Sequence, residues 1–114
     1  MYLVDTSVWI DYLRENDNQA VRRFQDILAQ DIPFGISGII FQEVLQGARE
    51  QTDFDTLSAY LSTQRFYHPL NPIESYQESA RLYFRCRKKG IILRSSNDCL
   101  IAQIALANDL IRLH

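Results

Sequence analysis

The chain has 114 residues, 46% of them apolar and 23% charged, with a formal net charge of −2 at pH 7. That is long enough for one compact domain spanning residues 1–114 and too short for two ordinary ones, and the apolar content argues against disorder. No apolar run approaches the roughly 18 residues a membrane helix needs, and no basic segment with a following apolar block opens the chain, so a cytoplasmic protein with no membrane partner is expected. The charge is unevenly spread. Residues 1–60 carry ten acids against Arg14, Arg22, Arg23 and Arg49, whereas residues 61–114 carry eight Lys or Arg against Glu74, Glu78, Asp98 and Asp109. A protein that held nucleic acid by bulk charge would be more basic. Acids gathered around metal ions beside a local basic patch fit the balance equally well.

Tyr2-Leu3-Val4 reads as a short buried strand ended by Asp5. Thr6 or Ser7 can then cap a helix whose apolar stripe is Val8, Trp9, Tyr12 and Leu13. Asn16-Asp17-Asn18 is a turn, and a second helix places Val21, Phe24, Ile27 and Leu28 on one face up to Asp31. Pro33-Phe34-Gly35-Ile36 is a second strand, and Ser37 can cap a third helix with Ile40, Phe41, Val44, Leu45 and Ala48 inward. After a break at Gln51-Thr52-Asp53, Leu57, Tyr60 and Leu61 mark a fourth helix. Arg65-Phe66-Tyr67-His68-Pro69-Leu70 reads as a short third strand.

Asn71-Pro72 starts a long fifth helix, Asn as N-cap and Pro at the first position. Its predicted core stripe is Ile73, Tyr76, Ala80, Tyr83 and Phe84, and basic residues followed by Gly90 mark its end. A last helix covers about Asn97 to Ala107, and Leu110–Leu113 is a final strand. Cys86 and Cys99 give neither a zinc spacing nor a disulfide framework and read as small core residues of a reducing compartment. Strands alternating with helices predict an α/β domain with a mainly parallel sheet.

Three acids stand out. Asp5 ends a strand where such folds place function, although an Asp before a helix also serves as a cap. Glu43 lies at the edge of an apolar stripe, with Gly47 one turn later leaving room beside it. Asp98 opens the last helix on the same face as Ile101, Ala102 and Ala105, where it can pair with the helix dipole or with something else. Buried carboxylates are rare unless paired, capped or bound to metal, and clustered carboxylate oxygens suit hard cations such as Mg²⁺ or Mn²⁺. Their mutual repulsion is expected to raise at least one pKa.

The segments Leu3–Asp11, Ile36–Ala48 and Arg94–Ala102 resemble the three acidic motifs of PIN domains, and more narrowly those of VapC-type toxins of bacterial toxin–antitoxin pairs. The similarity covers nearly the whole chain in the right order. It implies a parallel sheet flanked by helices on both sides, and a Mg²⁺- or Mn²⁺-dependent endoribonuclease in which Asp5, Glu43 and Asp98 bind the catalytic ion or ions. Thr6 and Ser7 match positions that support the first acid or its water. The implied partners are an RNA substrate, a VapB-like antitoxin and a second copy in a homodimer. Family members continue into a His-x-Asp-x-Asp-Phe-like segment with a fourth acid; this sequence reaches only its first position, His114, so that C-terminal segment is expected to be missing.

Arg85, Arg87, Lys88, Lys89 and Arg94 flank the Asp98 motif and are candidates for RNA phosphate contacts, with complementing a helix dipole as the alternative. His68 before Pro69 reads as structural. A non-catalytic PIN-like module that binds antitoxin or RNA is the competing reading, supported by the absent fourth acid. A phosphoacceptor signalling domain shares the layout but is disfavoured, because no Lys ends the last strand and no lone Asp ends the third.

Overall fold

Leu3 and Val4 are fully buried, as expected of a strand covered on both faces, and form strand β1 (Tyr2–Val4). A computed structural model describes residues 1–93 and 95–114. Helices α1 (Thr6–Leu13) and α2 (Gln19–Ala29) lead to β2 (Phe34–Ser37), and α3 (Gly38–Gln46) and α4 (Gln51–Leu61) lead to β3 (Phe66–Tyr67). Then α5 (Pro72–Lys88) and α6 (Ser96–Ala107) return the chain to β4 (Ile111–Leu113). All pairings are parallel and the strand order is β3-β2-β1-β4. Two connections step one way from β1, and the third carries the chain back past it to the opposite edge. In open parallel sheets the crevice at the strands' carboxyl ends, where that order reverses, is the usual site of function. Here that place lies between β1 and β4.

The core is built from Leu3, Val4, Val8, Trp9, Phe24, Ile36, Ile40, Leu61, Ile101 and Ile104. Phe24 sits at its aromatic centre, edge-on to Trp9 at 5.1 Å, Phe34 at 5.2 Å and Tyr12 at 4.9 Å. Each such pair adds about 0.5–1.5 kcal/mol beyond its area burial. The caps follow local chemistry. The side chain of Asn18 accepts from the Val21 amide, Ser37 from that of Ile40, and Asn71 from that of Glu74 ahead of Pro72. Gly90, at φ 75°, closes α5 in the left-handed region that glycine tolerates.

Four expectations are corrected. The first helix is capped by Asp5, not by Thr6 or Ser7, because β1 ends at Val4 and the helix starts one residue earlier. The break before α4 falls at residues 48–50, so Asp53 lies in the helix's first turn, where its charge suits the dipole. Gly47 is the C-cap of α3, and among the described residues a methyl group there would meet the Val44 carbonyl alone, at 3.4 Å; space beside Glu43 is not what requires it. The largest departure is α5, whose buried residues are Ser75 and Ser79. It packs on α6, and the small serines let the two helices approach. Ile73 (77% exposed), Tyr76, Ala80 and Phe84 lie on the other side in solvent, and Tyr83 is only half-buried. Cys86 and Cys99 are free thiols, Cys99 buried and Cys86 half-buried.

Gly35 pairs with Leu3 across β1 and β2, and a Cβ there would come within 2.5 Å of both the Arg65 carbonyl oxygen and the Tyr67 ring. The carbonyl is backbone and cannot swing aside. Gly35→Ala is expected to cost about 1–3 kcal/mol through overpacking, read as an earlier midpoint in denaturant unfolding. An unchanged midpoint would contradict the close β2–β3 approach.

Candidate functional site

Asp5 stands at the carboxyl end of β1, and each of its polar groups is engaged. Its amide donates to the Leu113 carbonyl at 2.9 Å, which ties it to the end of β4. Oδ1 accepts from the Thr6 amide at 2.8 Å and caps α1. Oδ2 accepts from both Nε and Nη2 of Arg112, at 3.0 and 2.7 Å. The Asp5 side chain is 13% exposed and that of Arg112 25%, so water screens this pair less than an open surface pair.

The same Nη2 lies 3.5 Å from Oδ1 of Asp98, in the first turn of α6. Glu43 comes in from α3 and accepts a long hydrogen bond, 3.4 Å, from the Thr6 hydroxyl. Burial pushes the Glu43 carboxyl above its ordinary range; the Thr6 hydrogen bond opposes this, the charges of Asp5 and Asp98 add to it, and Arg112 opposes it. Repulsion among acids therefore contributes, as expected, but desolvation is the larger cause. Asp5, Glu43 and Asp98 thus converge on one crevice from β1, α3 and α6, with Thr6 between two of them.

Ser7, expected to support the first acid, is exposed. Neither His68 nor His114 hydrogen-bonds to an acid. The His68 ring stacks on Phe66, and the His114 Nδ1 faces the Arg112 carbonyl. Asp11, inside the first acidic motif, accepts from the Asn16 and Asn18 side chains and so belongs to the α1–α2 turn.

Carboxylate and hydroxyl oxygens are the donors that hard divalent cations take. Among the described residues, no three His, Cys, Asp or Glu side chains are close enough as arranged to hold one ion. The positive charge among the acids is the guanidinium. The donor atoms suit a divalent cation by chemistry and sign, and holding one requires both that Arg112 withdraw and that the carboxylates close up around it.

Arg112 was not anticipated from the sequence, although a cation inside the apolar run Leu110-Ile111-Arg112-Leu113 is the signal that could have found it. A second unanticipated feature is a groove of about 570 Å³ between α1, α3 and α4, its lining including Ile10, Leu13, Val44, Arg14, Arg49 and Asp53. It begins one residue from Glu43. Of the basic candidates, Arg85, Arg87 and Lys88 form the last turn of α5 and Lys89 its C-cap, all four exposed; Arg94 lies outside the described residues. The Lys88 ammonium sits 5.1 Å over the Phe84 ring.

Among curated proteins, the chain is 29% identical over 107 residues to the VapC ribonuclease Mb1587 of Mycobacterium bovis and to the ribonuclease VapC11 of Mycobacterium tuberculosis, covering 93% of this chain and 79% of each relative. Its fold is similar to a chain of the VapBC2 complex of Rickettsia felis bound to a DNA fragment from its promoter, with a TM-score of 0.73, 19% identity and coverage of 97% of this chain and 84% of that one. A toxin–antitoxin complex from Klebsiella pneumoniae gives a TM-score of 0.69 at 19% identity, covering 98% and 83%. The family profile described as "PIN domain" matches residues 2–114. With the profile spanning almost its full length and the acids of all three motifs brought to one crevice, the chain belongs to the PIN domain family.

Proposed function

We propose that this chain is a Mg²⁺- or Mn²⁺-dependent endoribonuclease, acting as a toxin that a VapB-like antitoxin neutralises. The observation that carries the reading is the convergence of Asp5, Glu43 and Asp98 at the carboxyl edge between β1 and β4. Similarity to VapC ribonucleases supports RNA as the substrate.

Asp5 and Asp98, whose carboxylates share Arg112, would hold the ion, with Glu43 as a further ligand directly or through water. A bound divalent cation would offset charge building on phosphate oxygens and lower the pKa of a bound water towards neutrality. Thr6 fixes the Glu43 carboxylate through its hydroxyl, and the cap from Asp5 fixes Thr6. No imidazole stands among the acids to take the proton from a ribose 2′-hydroxyl, so cleavage leaves 5′-phosphate and 3′-hydroxyl ends. Arg85, Arg87, Lys88, Lys89 and Arg94 are the proposed phosphate contacts along the bound strand.

The antitoxin partner is inferred from the two structural neighbours, both toxin–antitoxin assemblies. The groove between α1, α3 and α4 offers a largely apolar seat, with Arg14 and Arg49 outnumbering Asp53 in its lining, to a partner carrying acidic side chains. The homodimer rests on the outer face of α5, where Ile73, Tyr76 and Phe84 stand in solvent (Phe84 48% exposed). Large apolar residues gathered on one exposed helix face mark an interaction surface.

RNA incubated with the protein is expected to be cut only when Mg²⁺ or Mn²⁺ is added. Asp5→Ala or Asp98→Ala should lower the rate by at least about a hundredfold, in line with loss of a group that stabilises developing charge. Co-expression with a cognate VapB-like antitoxin should suppress cleavage. Cleavage unaffected by chelator would contradict the metal reading, and folded protein inert at saturating Mn²⁺ would favour the non-catalytic module. For the assembly, sedimentation is expected to report a dimer that Phe84→Glu converts to monomer; a monomeric parent protein would contradict the α5 interface.

A further inference from the structure

Arg112 enters the acidic crevice from the chain's own last strand. It takes the one carboxylate oxygen of Asp5 that the helix cap leaves open, since Oδ1 is committed to the Thr6 amide and Oδ2 receives both Nε and Nη2. Its Nη2 sits 2.7 Å from Asp5 and 3.5 Å from Asp98, in the position a cation shared by the two acids would occupy. Magnesium–oxygen distances are about 2.0–2.1 Å, so a divalent ion and this guanidinium cannot share Oδ2 and the space beside it.

β4 does not need the side chain to stay in place. Arg112 is held in register with Leu3, Val4 pairs with Leu113, and the Asp5 amide donates to the Leu113 carbonyl. The guanidinium can therefore leave on its flexible stem while the strand remains. It cannot leave by losing its proton, because arginine stays charged at any working pH. Displacement by another cation is the way to open the site.

We propose that Arg112 is a built-in counter-cation that closes the site in the metal-free state and must be displaced from Asp5 before a divalent ion binds. This rests on the reading of Asp5, Glu43 and Asp98 as a metal site and adds a device that regulates it. Metal affinity is then set by an exchange, with one positive charge leaving the acids as two arrive. The site stays shut until the divalent ion is concentrated enough to win it.

Mn²⁺ titration by calorimetry, with no RNA present, provides the test. Arg112→Met removes the charge but keeps much of the apolar stem, and it is expected to bind Mn²⁺ at least tenfold more tightly than the parent protein. Arg112→Lys, which keeps a charge, should stay within a few fold of the parent. In the unsubstituted protein, the Arg112 Nε–H resonance is expected to shift as Mg²⁺ saturates the site, a readout that needs no variant to fold. Equal Mn²⁺ affinity in parent and Arg112→Met, or an Arg112 resonance unmoved at Mg²⁺ saturation, would overturn the displacement and leave the metal site standing. Uptake of Mn²⁺ by neither protein would overturn both.

Discussion

The carboxyl end of β1 is held by a single residue that answers to three parts of the fold. Asp5 caps α1 through one carboxylate oxygen, meets Arg112 through the other, and joins β4 through its amide. A strand that ended one residue later would turn this side chain to the other face of the sheet, because strand side chains alternate. The lengths of β1 and α1 and the pairing of β4 therefore all bear on where this carboxylate stands. Asp98 and Glu43 reach the same crevice only because α6 and α3 pack together beside it.

Charge shapes the crevice as much as geometry does. Three carboxylates in partly dry surroundings repel one another, and a fold that gathers them needs a compensating positive charge. The molecule supplies one from Arg112. Glu43 accepts from the Thr6 hydroxyl, and its carboxyl is pushed above the ordinary range first by burial, with the charges of Asp5 and Asp98 adding to it. A crevice balanced by one internal cation is already built to accept another, which links the stability of the empty fold to the chemistry proposed for it.

The strands and helices were legible because their periodicity is local. Leu3-Val4, the Val21–Phe24–Ile27 stripe and the Asn71-Pro72 start each announce themselves within a few residues. The convergence of Asp5, Glu43 and Asp98 is legible only weakly from their places at strand and helix ends, since each acid alone also reads as a cap or a solvated charge, and the family resemblance adds the rest. Arg112 went unnoticed because its meaning depends on a partner 107 positions away. The inner face of α5 is hidden from the sequence for a related reason. Periodicity reports that a helix has an apolar face, but Ser75 and Ser79 are buried through close packing on α6, and the aromatic face is left outward. Small residues at a close helix contact carry little hydropathy signal.

A double-mutant cycle on Asp5→Asn and Arg112→Met, measured by denaturant unfolding in chelator, tests most directly whether these two side chains are paired at the strand ends. A coupling of about 1–3 kcal/mol is expected, as for charge-assisted hydrogen bonds in partly buried surroundings. Additivity to within about 0.5 kcal/mol, with both single variants folded, would mean that no cation sits on Asp5 and would contradict the crevice as described.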